Sequence, residues 1–156
     1  MKEFIVVSDN HGKAKVLQQI LEKHPNAEGF VHCGDSEMDP RDLKNFTVVT
    51  GNNDYYFKFP EYMIVTLGGK RIYVTHSHTL PYGKAIETLV ARAKAQDCEI
   101  ACYGHTHKFD FRTIDGVTVI NPGSLYYNRD GSDPSYARIT IENDIISAEK
   151  LFSKDL

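Results

Sequence analysis

The chain has 156 residues, of which 41% are hydrophobic and 25% are charged, as is usual for a soluble globular protein. This length predicts a single domain over residues 1–156, large enough to bury a core without disulfides or a structural metal. The net charge of −3 argues against a nucleic-acid binder with a large basic surface, and no apolar stretch approaches the roughly 20 residues needed to cross a membrane.

The three cysteines indicate a reducing compartment. Their number is odd, and no two of them form a CxxC motif. All three, Cys33, Cys98 and Cys102, lie in apolar, strand-like runs. We therefore expect reduced thiols in the core and a cytoplasmic location. The apolar run that follows Met1-Lys2-Glu3 is too short for the hydrophobic region of a signal peptide.

The first third of the chain alternates strands with helices. Strands are predicted over residues 4–8, 29–33 and 46–50, and helices over 13–23 and 40–44. The run 4–8 is apolar and β-branched throughout, which is typical of a strand covered on both faces.

The rest of the chain is richer in strands. Residues 62–67 and 71–75 flank Gly68-Gly69 and predict a hairpin, followed by a helix over 83–96. The remaining predicted strands are 99–103, 109–114, 117–120, 136–142 and 145–152. Strand–helix units followed by hairpins predict an α/β fold with a mixed sheet, or with two packed sheets and helices outside.

Five polar clusters share one feature, since each directly follows a predicted strand. They are Ser8-Asp9-Asn10-His11, Gly34-Asp35, Gly51-Asn52-Asn53-Asp54, His76-Ser77-His78 and Gly104-His105-Thr106-His107. Because ligand sites in open α/β sheets form at the carboxyl ends of strands, these clusters predict one convergent site. Each cluster alone also fits an ordinary turn, and it is their combination that favours a site.

The spacing within the clusters is compatible with metal coordination. In an extended segment, residues i and i+2 point the same way, so Asp9 and His11 can reach one ion, as can His105 and His107. The two oxygens of Asp35 can bridge two ions. Oxygen and imidazole ligands without thiolate favour Mn, Fe, Co, Ni or Zn in a catalytic site over a closed structural zinc site.

Charge counting favours hydrolysis of a phosphate ester. The candidate ligands are Asp9, His11, Asp35, Asn52, His76, His105 and His107. The two carboxylates leave two divalent ions with a net charge of +2, which suits a hydroxide and an anionic phosphate. Two ions about 3.5–4 Å apart lower the pKa of a water between them and stabilise the attacking and leaving oxygens.

In this order, the motifs resemble those of the calcineurin-like metallophosphoesterases. The pattern is Asp-x-His, Gly-Asp, Gly-Asn, a later His and Gly-His-x-His, followed by Asn121-Pro122-Gly123-Ser124, which is typical of a small phosphodiesterase subfamily. That subfamily also contains the retromer scaffold subunit. The resemblance implies a four-layer αββα sandwich, in which two packed mixed sheets are flanked by helices.

The resemblance also implies a two-metal site. The family pattern assigns Asp9, His11, Asp35 and His107 to the first ion, and Asp35, Asn52, His76 and His105 to the second. It makes His76 rather than His78 the ligand, and it makes Asp35 the bridge. Asp35 and Asn52 thus count as catalytic residues as well as ligands.

One departure from the family pattern concerns the leaving group. Many larger relatives carry a histidine at the position of Asn53, and asparagine is a poor proton donor to a leaving oxygen. His78 is our candidate for this task. Asp54 has two interpretations, as a carboxylate that orients a ligand histidine or as a solvated turn residue.

Other polar residues have weaker indications. His24 and His32 are interpreted as structural. Lys108, Arg112 and Arg129 lie near the predicted rim and are interpreted as solvated surface charges, with contact to a substrate phosphate as the alternative. The loop 125–134, with two tyrosines, fits a wall of the substrate cleft, a packing element or an oligomer contact. The apolar C-terminal strands are compatible with a homodimer without requiring one.

The sequence therefore predicts a metal-dependent phosphodiesterase or phosphatase acting on a small phosphate ester. The alternative is a scaffold that keeps the fold, has lost catalysis and binds a protein partner. The complete Asp9-x-His11 motif favours the enzyme. A nuclease is the third hypothesis, and the acidic net charge and short length weigh against it.

Overall fold

The computed structural model describes residues 1–156 as two mixed five-stranded β-sheets with two α-helices. The strands are β1 (Lys2–Val7), β2 (Phe30–His32), β3 (Phe46–Val48), β4 (Tyr62–Leu67), β5 (Lys70–Thr75), β6 (Ile100–Cys102), β7 (Phe109–Ile114), β8 (Val117–Pro122), β9 (Ser135–Glu142) and β10 (Ile145–Phe152). The helices are α1 (Ala14–Lys23) and α2 (Ala85–Ala95). Neither helix is long and apolar enough to cross a membrane.

Each sheet combines three parallel strands with two antiparallel ones. The first sheet has the order β10-β9-β1-β2-β3, in which β1, β2 and β3 are parallel. The second has the order β4-β5-β6-β8-β7, in which β5, β6 and β8 are parallel. The parallel strands of each sheet thus end at one edge, and the polar clusters follow those ends.

The main core lies between the two sheets. Along β1, Phe4 and Val6 point into this core, whereas Ile5 and Val7 face the opposite side of the sheet. Because successive strand residues alternate between faces, a strand covered on both sides must be apolar throughout. This explains the continuous apolar run that predicts β1.

One helix covers the outer face of each sheet. Leu17 and Ile20 of α1 pack against the first sheet, and Leu89 and Val90 of α2 against the second. Apolar residues three or four positions apart lie on one helix face, so each helix buries a single stripe. The four-layer αββα arrangement is therefore confirmed.

The elements differ from the predicted ones mainly at their ends. Strands β1, β2 and β3 stop one or two residues early, because the chain bends away from the sheet to carry the polar clusters. Residues Pro40–Leu43 form a 3₁₀ turn, in which the Asp39 side chain accepts a hydrogen bond from the Arg41 amide at 2.9 Å. The three cysteines are buried, as predicted, and none of them forms a disulfide in the structure.

Candidate metal centre

The predicted site residues lie at one rim, where the carboxyl ends of parallel strands from both sheets meet. The loops after β1, β2 and β3 bring Asp9 with His11, Asp35 and Asn52, respectively. The loop after β5 brings His76, and the loop after β6 brings His105 and His107. Two groups of side chains have ligand atoms within 4.8 Å of one another: Asp9, His11 and His107, and Asp9, Asp35 and His76.

The backbone that carries these side chains is not extended. Asp9 and His11 have φ values of 54° and 45°, and His105 and His107 have values of 70° and 57°. The prediction that these pairs share a direction through strand alternation was therefore wrong. Left-handed turns aim the side chains instead, and such non-glycine conformations concentrate at functional sites because the surrounding structure must hold them.

In the first group, two imidazoles face one carboxylate. The Nε2 atom of His107 lies 3.2 Å from Oδ1 of Asp9, and the Nε2 atom of His11 lies 3.8 Å from the same oxygen. The Ser8 hydroxyl and the His105 amide both donate to the other oxygen, Oδ2. Asp9 is thus held in place with one oxygen directed at the two imidazoles.

In the second group, His76 lies between both carboxylates. Its Nε2 atom is 3.4 Å from Asp35 Oδ2 and 3.8 Å from Asp9 Oδ1. The amide oxygen of Asn52 lies 3.0 Å from His76 Nε2 and 3.1 Å from His105 Nδ1. All seven candidate ligands therefore form one connected cluster, in which Asp9 belongs to both groups while the family pattern gives the bridging position to Asp35.

The electrostatics of the cluster suit a cation. Asp9 and Asp35 are only 1% and 2% exposed, and two buried carboxylates require compensating positive charge. Burial opposes ionisation of Asp35, but the hydrogen bond and charge of His76 outweigh it and hold the pKa of Asp35 well below its usual range. Burial likewise opposes charging of His76, yet Asp35 and Asp9 raise its pKa. The donor set of carboxylate, amide and imidazole groups thus fits divalent metal ions.

Two of the histidines have the orientation expected of metal ligands. The Nδ1–H of His76 donates to the Cys33 carbonyl at 2.7 Å, and that of His107 donates to the Tyr127 carbonyl at 3.0 Å. With Nδ1 anchored in this way, Nε2 is the ring nitrogen directed into the cluster and available to a metal ion.

Asp54 joins two of the metal-site loops. Its carboxylate accepts hydrogen bonds from the amides of Asp35 at 3.0 Å, Glu37 at 2.8 Å and Gly51 at 2.7 Å. Both interpretations of Asp54 were therefore wrong, because it neither orients a histidine nor lies in solvent. A short-range turn pattern does not reveal amide partners up to 19 positions away in the chain.

The glycines of the Gly-Asn and Gly-His motifs permit close approach of the loops. A Cβ atom on Gly104 would collide with the Ser8 hydroxyl oxygen and lie 2.9 Å from Asp9 Oδ2, and one on Gly51 would collide with the Asp35 carboxylate. Glycine is needed at both positions because a backbone segment packs directly against a ligand side chain.

The Asn-Pro-Gly-Ser segment, at the end of β8, supports two loops of the site. The side-chain amide of Asn121 donates to the Gly104 carbonyl at 3.2 Å and to the Thr106 hydroxyl at 3.0 Å. The Ser124 hydroxyl donates to the Asp9 carbonyl at 2.9 Å. The segment thus ties the Gly-His loop and the Asp9 loop together, a role that the sequence motif signals without explaining.

His78 lies against the ligand histidines and does not line the cavity described below. Its ring centroid is 5.3 Å from that of His76 and 6.3 Å from that of His105. Burial lowers the pKa of His78, which favours the neutral ring. Its action on a leaving oxygen stays a prediction. Asn53 donates from its backbone and side chain to the two oxygens of Asp35, at 2.8 and 3.1 Å.

The two histidines interpreted as structural have buried hydrogen-bond partners. His32 accepts from the Gly34 amide at its Nδ1 atom and donates from Nε2 to Asn10 Oδ1 at 2.8 Å. Burial lowers the pKa of His32 to about 4. His24 lies 2.8 Å from the Tyr136 hydroxyl, away from the rim.

A cavity of about 410 Å³ opens onto the metal cluster. Five of the seven candidate ligands line it, all except Asp9 and His76. The rest of its wall consists of Glu37, Asn53, Tyr126, Tyr127 and Arg129. Lys108 and Arg112 are not part of the wall, and Arg112 pairs with Asp110 at 3.1 Å. Sequence reasoning did not single out Glu37, which lies in an irregular loop without a motif of its own.

This fold and site define a class of protein, the metal-dependent phosphoesterases built on a two-sheet αββα sandwich. Residues 1–144 match the family model described as the calcineurin-like phosphoesterase superfamily domain. The chain belongs to this family, which confirms the resemblance seen in the motifs.

Individual relatives are consistent with this assignment. The chain is 34% identical over 143 residues to a probable metallophosphoesterase, YsnB, of Bacillus subtilis (strain 168), covering 90% of this chain and 85% of the relative. A predicted phosphoesterase of Streptococcus pneumoniae TIGR4 superimposes with a TM-score of 0.91 at 27% identity, over 98% of this chain and 90% of that one.

A third similar structure is Vps29 of Entamoeba histolytica in complex with Zn²⁺. The TM-score is 0.70 at 22% identity, and the match covers 97% of this chain and 99% of that one. This likeness shows a shared fold alone.

Proposed function

We propose that this chain is a phosphodiesterase that hydrolyses small phosphodiesters at a site for two divalent metal ions. The observation that carries the proposal is the convergence of two buried carboxylates and three imidazoles from both sheets in one cluster. Part of this cluster lines an open cavity. Membership of the calcineurin-like phosphoesterase superfamily supports metal-dependent hydrolysis of a phosphate ester.

The proposed ligand sets follow the family pattern. Asp9, His11, Asp35 and His107 would hold one ion, and Asp35, Asn52, His76 and His105 would hold the other. Their oxygen and imidazole donors suit Mn, or Ni, Co, Zn or Fe. Bound ions supply positive charge that lowers the pKa of a nearby water and polarises the phosphate.

The residues around the ligands have distinct tasks in this proposal. The carbonyl partners of His76 and His107 keep each Nε2 atom directed into the site. Asn53 holds Asp35 through both carboxylate oxygens. Arg129 is the cation of the cavity wall and is suited to contact a non-bridging phosphate oxygen.

The charges at the cavity favour a diester over a monoester. Glu37 and Arg129 cancel, so Asp9 and Asp35 leave the protein with two negative charges at the site. With two divalent ions and one hydroxide bound, the site would carry one net positive charge. A phosphodiester carries one negative charge at neutral pH, whereas a monoester carries about two, so the diester is the better match.

The decisive experiment measures hydrolysis of bis(p-nitrophenyl) phosphate and p-nitrophenyl phosphate by metal-stripped protein, before and after addition of Mn, Ni, Co, Zn or Mg. We expect turnover only with metal and a higher kcat/KM for the diester. Asp35→Asn should abolish metal-dependent turnover. Asp42→Asn, at an exposed position without a side-chain partner, should leave it unchanged.

Other results would point elsewhere. Equal hydrolysis without metal would exclude the proposed chemistry, and a higher kcat/KM for the monoester would make the protein a phosphatase. A folded, metal-loaded chain without turnover on either ester would favour the scaffold and a search for a protein partner.

A further inference from the structure

Exposed aromatic side chains are concentrated beside the candidate metal centre. Of ten exposed large apolar residues in the chain, five line the metal-side cavity or the cavity next to it. They are Tyr55, Tyr56, Phe57, Tyr126 and Tyr127. Tyr56 is 94% exposed and Tyr55 is 71% exposed.

The second cavity adjoins the first. It has a volume of about 280 Å³ and shares Glu37 and Asn53 with the metal-side cavity. The backbone of Asn53 donates to Asp35, so one end of the shared wall is in contact with a candidate ligand. A molecule whose phosphorus lies at the metal cluster can therefore extend into the second cavity.

The chemistry of the second cavity excludes a second phosphate. Its walls are Tyr55, Tyr56 and Phe57 together with Glu37, Asn53 and Asp54, and no lysine or arginine lines it. Asp54 is occupied by three backbone amides. A planar, uncharged group fits this combination, because aromatic rings stack on exposed tyrosines and the cavity offers no cation to bind an anion.

We propose that Tyr55, Tyr56 and Phe57 bind a planar aromatic arm, such as a nucleobase, of the phosphodiester substrate. This specificity surface, residues 55–57, rests on the proposed phosphodiesterase function and narrows its substrate class to diesters with at least one aromatic ester group. Stacking of one base on an aromatic side chain corresponds to roughly 5- to 150-fold in affinity.

The test compares binding of two diesters that differ in one arm, dimethyl phosphate and methyl phenyl phosphate. Calorimetric titration of the Mn-loaded protein measures both affinities without requiring turnover. We expect methyl phenyl phosphate to bind at least about fivefold more tightly. The double variant Tyr55→Ser/Tyr56→Ser should reduce this ratio to about one, because the ring then has no stacking surface.

A matched control is Tyr82→Ser, since Tyr82 is fully exposed and lines neither cavity. It should keep the wild-type ratio. An unchanged ratio in the double variant, or loss of the ratio only in Tyr126→Ser, would overturn the proposal. The proposal would also be overturned if the wild type sedimented as a dimer and the double variant as a monomer with an unchanged affinity ratio. The surface would then serve self-association.

The outcomes separate this inference from the proposed function. Metal-dependent hydrolysis with equal affinity for both diesters would leave the phosphodiesterase proposal standing and reject the aromatic surface. A retained preference for the aromatic diester without turnover on any ester would support the surface and reject catalysis.

Discussion

At the scale of single residues, Asp54 stabilises the site without contacting a metal ligand side chain. Replacing it with alanine removes the acceptor of three amides, two of which belong to Asp35 and Gly51. We expect Asp54→Ala to lower the free energy of unfolding by about 3 kcal/mol and metal affinity about 10- to 100-fold. Urea unfolding and metal titration measure both effects.

The matched control for Asp54 is Asp42→Asn, at an exposed position, which should change stability by less than about 0.5 kcal/mol. Asp54→Asn should fall between the two, because its amide keeps one oxygen acceptor. Wild-type stability in Asp54→Ala would show that the loops are held together by other contacts.

His32 makes stability depend on pH. Burial lowers its folded-state pKa from 6.5 to about 4, so between these values the unfolded state binds a proton that the folded state does not. Its contribution is fully present above pH 6.5 and is lost as the pH falls toward 4. Chelator-treated wild type and His32→Gln should both lose stability between pH 7 and 4.5. We expect the loss to be about 2 kcal/mol smaller in His32→Gln.

Urea unfolding at several pH values measures this effect as the difference between wild type and variant. The control is His24→Gln, because burial also lowers the pKa of His24 but His24 is partly exposed. Its effect should be smaller. Parallel pH profiles for wild type and His32→Gln would contradict the assignment.

At the scale of elements, the outer helices contribute stability while the strand ends carry the chemistry. Leu89 of α2 is fully buried against the second sheet. We expect Leu89→Ala to lower the free energy of unfolding by about 2–5 kcal/mol through lost burial and the remaining cavity. Thermal or urea unfolding measures it, with the exposed Glu87→Ala on the same helix as control.

Metal affinity provides the second readout for α2. Its buried face packs against the sheet and none of the candidate ligands belongs to it, so folded Leu89→Ala should bind Mn as the wild type does. A large loss of affinity in the folded variant would mean that α2 positions the rim.

At the scale of the whole molecule, the candidate metal centre connects the two sheets. Asp9, Asp35 and Asn52 follow strands of one sheet, and the histidines at 76, 105 and 107 follow strands of the other. Ions bound only by the folded state stabilise it by about 2.7 kcal/mol at 100 times Kd. We expect Mn to raise the unfolding midpoint of metal-stripped protein accordingly, and Asp35→Asn to remove most of this increase.

Magnesium is the matched comparison for this prediction, because imidazole ligands suit it poorly and the stabilisation should be smaller. Equal stabilisation of wild type and Asp35→Asn by Mn would place the ion elsewhere on the protein.

The sequence by itself determined the elements, the candidate ligands and the family. Apolar periodicity is a local property, so β1, α1 and the hairpin of β4 and β5 were predicted close to their observed bounds. The motifs are equally local, and their positions after parallel strands were enough to predict one rim. The metal ions themselves stay a prediction.

Only the tertiary structure decided how the site is held and what surrounds it. The backbone is left-handed at Asp9 and His107, which the sequence did not predict. The hydrogen bonds of Asp54 with backbone amides and of Ser124 with Asp9 join segments that are distant in the chain. Such contacts depend on how two sheets pack, because loop backbones follow their partners rather than a local propensity. For the same reason, the aromatic surface of residues 55–57 became recognisable only beside the candidate metal centre.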